Sequence, residues 1–200
     1  MKLIIDGKSK EINTSSFSVF KEFFDKLSKG LTAEERVISK IKINDELMKD
    51  GSQFDKFELP MDQFHTVEIF TIEKNELINQ NIDGLCDHID NLIKNIDISA
   101  DSFRMGEETN SNQYFAAVLE GIRWFNYSLN LLISFKKIDP DNFILADQTI
   151  SEEIKNMERT LDTLADAQEE KDYLALADQL EYELKPLLSK WRNNLNVFSR

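Results

Sequence analysis

The chain has 200 residues, 41% hydrophobic and 30% charged, with only 6 Gly and 3 Pro. These proportions are those of a globular protein, and the scarcity of Gly and Pro favours long regular elements over a loop-rich all-β fold. The net charge of −13, without a Lys/Arg stripe, argues against nucleic acid and an anionic membrane surface as partners.

A single cysteine, Cys86, excludes an intramolecular disulfide and fits a reducing compartment. The N-terminus turns polar too early for a secretory signal, and no apolar run reaches the ~20 residues of a membrane helix. We therefore expect a cytoplasmic protein.

The first strand-like runs are Lys2–Ile5 and Lys8–Ile12, which flank Asp6-Gly7, a pair typical of a type I′ hairpin turn. The cluster Thr14-Ser15-Ser16 then predicts the N-cap of a helix that Gly30 ends. The apolar face of that helix is predicted to consist of Phe17, Phe20, Phe24 and Leu27.

Three further strands are predicted after the helix. Val37–Ile43 reads as a half-buried strand, Asn44-Asp45 as a turn, Glu46–Met48 as a short strand and His65–Ile72 as the last strand. In the first of these strands, the side predicted to face the core carries Val37, Ser39, Ile41 and Ile43.

The element order β-β-α-β-β-β resembles the ubiquitin-like β-grasp in order and approximate lengths. Ubiquitin and its sulfur-carrier relatives end in Gly-Gly, whereas this strand continues into Ile72-Glu73-Lys74 and a helix, so transfer through a C-terminal glycine is not expected. Residues 1–73 are predicted to form this domain. Its predicted core includes Leu3, Ile5, Phe20, Phe24, Leu27, Ile41, Ile43, Val67 and Ile69.

Residues 74–200 carry four apolar stripes with alternating steps of three and four residues, which predict an antiparallel four-helix bundle. The expected fold class is therefore α+β. Breaks are predicted near Ile98–Glu107, Asp139–Asp147 and Glu169–Asp172, and Pro186 is predicted to kink the last helix. The stripes run from Ile78 to Ile96, Phe115 to Leu132, Ile150 to Leu164, and Leu180 to Leu195.

Several motifs that resemble chemical sites fail on inspection. Gly7-Lys8-Ser9 lacks the first glycine of a phosphate-binding loop, and Asp139–Asn142 lacks the later glycine and glutamate of a calcium loop. Two histidines, His65 and His88, and the single Cys86 are too few for a di-metal centre or a catalytic constellation. His88 is predicted to be a surface histidine among carboxylates, on the solvated flank of its stripe. We therefore expect no catalytic residue, metal site or cofactor, and a protein that is not an enzyme.

The second long helix carries more apolar surface than its stripe requires. A second line runs through Ala117, Gly121, Trp124, Tyr127, Leu131 and Phe135. Such a helix is either central, covered by the N-terminal domain or by Tyr182 and Leu188, or it contacts another chain. We predict that Trp124, Tyr127, Leu131 and Phe135 bind a protein partner or a second copy.

Acidic rows on the last two helices are either solvated faces or a docking surface for a basic partner. They comprise Asp162, Asp166, Glu169, Glu170, Asp172, Asp178, Glu181 and Glu183.

The segments Ile150–Glu170, Tyr173–Leu188 and Val37–Met48 resemble uncharacterised bacterial proteins that join a β-grasp domain to a helical bundle, and this resemblance implies no activity. Residues 75–195 are also similar to flagellar export chaperones, which are acidic helical bundles that hold an unfolded client. The predicted function is a non-enzymatic interaction module or adaptor, with chaperone-like client binding as one form. The alternatives are a self-associating structural homodimer and an enzyme of unknown chemistry.

Overall fold

The computed structural model describes residues 1–11, 13, 16–48 and 57–199. The chain divides into two compact units, Met1–Leu77 and Ile78–Arg200. Unit 1 contains a mixed sheet and one long helix, and unit 2 is almost wholly helical. The fold class is therefore α+β, as the sequence predicts.

Unit 1 is built on a five-stranded sheet in the order β2-β1-β5-β3-β4. β1 and β5 are parallel, and the other neighbouring pairs are antiparallel. The predicted strands are found to within one or two residues at each end, except that Ile12 lies outside the described residues. The strands are β1 (Lys2–Ile5), β2 (Lys8–Glu11), β3 (Arg36–Ile43), β4 (Glu46–Leu47) and β5 (Thr66–Glu73).

Helix α1 (Phe20–Ala33) differs from its prediction at both ends. Phe17 precedes the helix, and Gly30 lies inside it instead of ending it. The residue that leaves the helical conformation is Glu35, whose φ of 55° is left-handed. The N-cap position is Val19, and of the predicted cap cluster Thr14 and Ser15 lie outside the described residues.

The core of unit 1 lies between α1 and one face of the sheet. The buried side of α1 runs through Phe20 and Phe23, while the predicted core residues Phe24 and Leu27 are only half-buried at its edge. The buried apolar residues of this cluster are Leu3, Ile5, Phe20, Phe23, Ile43, Met61, Phe64, Val67 and Ile69.

A β-bulge in β3 changes which residues of that strand reach the core. Ile38 pairs with Thr71 and Lys40 with Phe70, so Ser39 is an extra residue without a partner in the register. Two residues then oppose one, and the alternation of sides shifts by one position. The prediction that Val37 and Ser39 face the core is therefore wrong. Ile38 packs against the core instead, on the same side as Ile41.

Both predicted turns have the left-handed backbone that type I′ hairpins need. Asp6 and Gly7 have φ of 49° and 78°, and Asn44 and Asp45 have φ of 49° and 67°. The Asp6 carboxylate also accepts hydrogen bonds from Thr71 N at 2.8 Å and Thr71 Oγ1 at 2.6 Å. These bonds, with Arg36 at 3.2 Å, hold the pKa of Asp6 below its ordinary value.

We expect Asp6→Asn to lower the stability of unit 1 by about 1 kcal/mol at pH 7, because a half-exposed carboxylate loses its charge while Asn keeps the turn. Since the folded-state pKa is lowered, the difference from wild type is fully present above about pH 4 and disappears as the pH falls through that pKa. Hydrogen exchange of unit 1 amides across this pH range measures it. An unchanged difference at every pH would refute the electrostatic explanation.

Unit 2 consists of long helices joined by short connections. α2 continues to Arg104, so its predicted break beginning at Ile98 is wrong; Ser99, Ala100 and Phe103 extend the buried stripe, and Gly106 (φ 75°) follows the helix end. The helices are α2 (Lys74–Arg104), α3 (Glu108–Lys136), α4 (Ile150–Glu169), α5 (Tyr173–Gln179) and α6 (Lys185–Asn194), with a short hairpin of β6 (Ile144–Leu145) and β7 (Gln148–Thr149) before α4.

The predicted kink at Pro186 stays a prediction, but the helix is irregular near this residue: a π-helical turn, Leu180–Leu184, lies between α5 and α6. Proline lacks the N–H of a helical hydrogen bond, and its ring clashes with the carbonyl four residues earlier. The π-helical turn contains Tyr182, the residue four positions before Pro186.

The predicted stripes of α2 and α3 are buried from end to end. Those of α4 and of the C-terminal segment, which comprises α5, the π-helical turn and α6, are also buried, except that Ile154, Leu161 and Leu187 are half-buried. α2 runs antiparallel to the C-terminal segment, and three ion pairs join them at intervals of seven residues. These pairs, which we call the ion-pair ladder, are Asp90–Arg192 at 2.9 Å, Asp97–Lys185 at 2.6 Å and Arg104–Asp178 at 2.8 Å.

The connection from α3 to α4 begins with a turn that Asp139 caps. The carboxylate of Asp139 accepts hydrogen bonds from Asp141 N at 3.1 Å and Asn142 Nδ2 at 2.7 Å. Thr149 and Glu152 then form a capping box at the start of α4. The acidic groups of this turn are thus used in local hydrogen bonds.

Candidate functional site

The main candidate is the outer side of α3. Trp124, Tyr127, Leu131 and Phe135, which we call the α3 aromatic face, are 47%, 64%, 53% and 39% exposed. They are the residues predicted from the second apolar line. Large side chains of this kind are normally covered, and contiguous exposed apolar surface often marks an interaction site.

Two of the internal covers considered for this surface are ruled out within unit 2. Leu188 is fully buried in the core, and Tyr182 is itself 63% exposed. α3 is therefore a helix with one buried stripe and one open side, instead of the centre of the helical unit. The opposite stripe, from Phe115 to Leu132, is buried.

Gly121 does not belong to the open line, contrary to the prediction. A Cβ at this position would lie 2.3 Å from Leu92 Cδ2, so a larger residue would force the buried Leu92 side chain of α2 to move. The contact places His88 of α2 beside the exposed face. His88 Nε2 donates a hydrogen bond to Gly121 O at 2.8 Å.

His88 fixes one edge of the α3 aromatic face. Its ring centroid lies 4.3 Å from that of Trp124. The hydrogen bond to Gly121 and this ring contact together hold Trp124 against α2, so the indole is oriented before any partner binds. The sequence prediction of a solvated surface histidine is therefore wrong, and the small residue at position 121 was the signal for the close approach.

The strip around the face carries almost no charge. Residues 109–135 contain only Glu120 and Arg123 as charged residues, in a chain of net charge −13. Their side chains form an exposed pair at 3.6 Å. The surface therefore combines aromatic side chains with charge depletion, the composition found at the centres of protein interfaces.

The chain was compared with models of protein families. Residues 80–194 match the family described as Domain of unknown function (DUF8042). The chain belongs to this DUF8042 family. Residues 2–72 match a second model, Domain of unknown function (DUF8043). The comparisons with curated proteins and with solved structures found no match.

The α3 aromatic face lies within the DUF8042 domain, and so do all the residues of the acidic rows. Part of that acidity is used internally, because Arg104 pairs with Asp178 at 2.8 Å and with Glu181 at 2.5 Å. Asp172 accepts a hydrogen bond from Ala175 N at the start of α5. Fewer carboxylates are therefore available to attract a basic partner than the sequence suggests.

Cys86, also in the DUF8042 domain, is half-buried on α2. Its sulfur lies 3.8 Å from Arg192 O, and burial raises the pKa of the thiol. A thiol held in its protonated form is a poor nucleophile. Among residues 1–11, 13, 16–48 and 57–199, no group of three or more His, Cys, Asp or Glu side chains is placed to hold a metal ion.

Unit 1 contains a cavity of about 280 Å³ beside α1, lined by residues that include Phe17, Phe23 and Leu27. Its size is at the lower limit for small-molecule sites. Lys26 lies 5.3 Å from the Phe17 ring at its rim.

Within the described part of the chain, no helix is both long enough and apolar enough to cross a membrane.

Proposed function

We propose that this chain is a non-enzymatic protein-interaction module whose binding surface is the α3 aromatic face. The observation that carries the proposal is the exposure of four large apolar side chains on a strip that carries one Glu and one Arg. Trp and Tyr are the residues most enriched at energetic hot spots of interfaces. A partner or adaptor role in the cytoplasm, without cofactor, fits this surface.

The exposed area is large enough to support association. Aromatic side chains bury about 150–250 Å² each, so at their exposed fractions the four residues leave on the order of 400 Å² in water. At ~25 cal/mol per Å², covering them releases roughly 10 kcal/mol, against an association cost of about 4–15 kcal/mol. The face is therefore a substantial part of an interface, and flanking residues supply the rest.

The fold proposed for each unit supports this role. We infer a ubiquitin-like β-grasp for residues 1–72 from the order of the sheet, its parallel β1–β5 pair and the packing of α1 on one face. We infer an antiparallel four-helix bundle for residues 75–199 from the ladder between α2 and the C-terminal segment and from the α2–α3 contact at Gly121. A four-helix bundle buries its core stripes and leaves the outer side of each helix for partners.

Site-specific photo-crosslinking tests the function. Tyr127 is replaced by a benzophenone amino acid in the full-length chain, and Tyr182, 63% exposed against 64% for Tyr127, is the matched control position. We expect Tyr127 to form a discrete intermolecular product in cells, whereas Tyr182 forms none. Adding Leu131→Ala should abolish that product.

The mapped product decides between the outcomes. A cross-link from Tyr127 to another protein chain or to a second copy, sensitive to Leu131→Ala, supports the proposal. A cross-link from Tyr127 into residues 1–72 of the same chain, or equal products from Tyr127 and Tyr182, contradicts it.

A further inference from the structure

We propose that the partner is a second copy of this chain, packed antiparallel with α3 against α3 about a two-fold axis between Trp124 and Tyr127. This inference rests on the proposed function, since it names the occupant of the α3 aromatic face. It is carried by the spacing, the size gradient and the charge of the exposed side of α3.

The exposed side of α3 has the spacing of a helix-packing seam. Its residues step by three and four, the pattern that keeps one line facing a partner helix. Residues 117–134 span about 26 Å at 1.5 Å per residue, which is more than two heptads. This line, which we call the seam, consists of six exposed residues: Ala117, Glu120, Trp124, Tyr127, Leu131 and Ser134.

Side-chain size changes along this seam. Within residues 116–135, the N-terminal end carries Ala116 and Ala117, and the C-terminal half carries Leu131 and Phe135; Tyr114, which is 36% exposed, precedes this range. Antiparallel pairing places the bulky half of one copy against the small half of the other, while parallel pairing places bulk on bulk and leaves a gap between alanines. The facing pairs are Ala116 with Phe135, Ala117 with Ser134, and Trp124 with Tyr127.

Charge favours a second copy over a basic partner. The acidic rows lie on α4, α5 and the π-helical turn, whereas the charged residues at or beside the seam are Glu120 and Arg123, which neutralise each other. The net charge of −13 on each copy repels at long range, but at physiological ionic strength charges beyond about 8 Å are screened. In the antiparallel arrangement Glu120 lies beside Leu131 of the second copy, where Arg123 draws its carboxylate to the rim.

The area matches what a dimer needs. A stable interface buries about 800 Å² on each partner. The four residues of the α3 aromatic face supply on the order of half of this. The remainder comes from the flanking residues of the same strip, which are exposed at Gln113, Ala116, Ala117 and Asn130.

Sedimentation velocity of the full chain across a range of concentrations tests the dimer. We expect a concentration-dependent dimer whose dissociation constant rises at least about thirtyfold in Trp124→Ala/Leu131→Ala. Tyr182→Ala/Leu174→Ala removes equally exposed side chains from elsewhere and should leave the dimer unchanged. Circular dichroism verifies that both variants remain folded.

Disulfide trapping tests the orientation in a Cys86→Ser background. An equimolar mixture of Ala117→Cys and Ser134→Cys chains should cross-link, while Ala117→Cys alone should not. Self-cross-linking of Ala117→Cys without the mixed product overturns the antiparallel arrangement. A monomer at every concentration overturns the dimer; if Tyr127 still cross-links a different protein, the proposed function stands and only its partner changes.

Discussion

Replacing Lys190 with methionine should destabilise the helical unit by about 3–5 kcal/mol. Lys190 Nζ lies 2.6 Å from Glu153 Oε1, and Glu153 is fully buried. The other carboxylate oxygen, Oε2, has no hydrogen-bond partner among the described residues. Removing the ammonium therefore leaves a buried negative charge with nothing to compensate it. Urea unfolding followed by tryptophan fluorescence measures the loss, since Trp124 and Trp191 both lie in unit 2.

A double variant separates the effect of the ion pair on stability from the effect of side-chain packing. In Glu153→Leu/Lys190→Met both charges are replaced by apolar side chains, and the stability should return to the wild-type value or exceed it. Asp147→Asn removes the second, exposed partner of Lys190 and should leave the stability nearly unchanged, because exposed ion pairs contribute little. A neutral effect of Lys190→Met on stability would contradict the prediction that buried Glu153 needs the ammonium group of Lys190.

Phe20→Ala should destabilise unit 1 by about 3–5 kcal/mol, a large part of the stability of a small domain. Phe20 is fully buried, and its ring stacks on Phe64 with centroids 4.4 Å apart. Rings of Phe23 and Phe57 also lie within 6 Å of it. The truncation leaves a cavity at the centre of this aromatic cluster.

Phe24→Ala is the internal control, because Phe24 lies half-buried at the edge of the same cluster and should lose clearly less. Every Trp and Tyr follows residue 77, so fluorescence does not report on unit 1, and hydrogen exchange of its amides is the suitable measurement. Equal losses at the two positions would show that α1 is rotated relative to the sheet from the orientation described.

The regular parts of the fold were predictable, because the periodicity of apolar residues is a direct consequence of burial. The stripes from Ile78 to Ile96 and from Phe115 to Leu132 are buried throughout. The predicted core positions are wrong where one extra residue shifts the alternation of sides along a strand. Because of the bulge at Ser39, Ile38 faces the core instead of Val37, and the spacing of apolar residues does not reveal such an extra residue.

The candidate site was predictable only in part. The excess apolar line on α3 was sufficient to name Trp124, Tyr127, Leu131 and Phe135, since a helix has only one side to give to its own core. Gly121 and His88 were assigned incorrectly because their positions depend on the distance between two helices. At Gly121 the close approach of α2 and α3 depends on the lack of a side chain, and the pattern of apolar residues in the sequence does not show such a contact.

The ion-pair ladder between α2 and the C-terminal segment determines the alignment of two helices whose apolar stripes repeat. A slip of seven residues would leave the apolar stripes in contact, so hydrophobic packing alone discriminates weakly against it. The order of charges in the ion-pair ladder does discriminate against such a slip. α2 contributes the acidic partner to two of the pairs and the basic partner, Arg104, to the third. A slip in one direction brings Arg104 opposite Lys185, and a slip in the other brings Asp97 opposite Asp178. Three surface pairs that add little to stability thus select a single alignment.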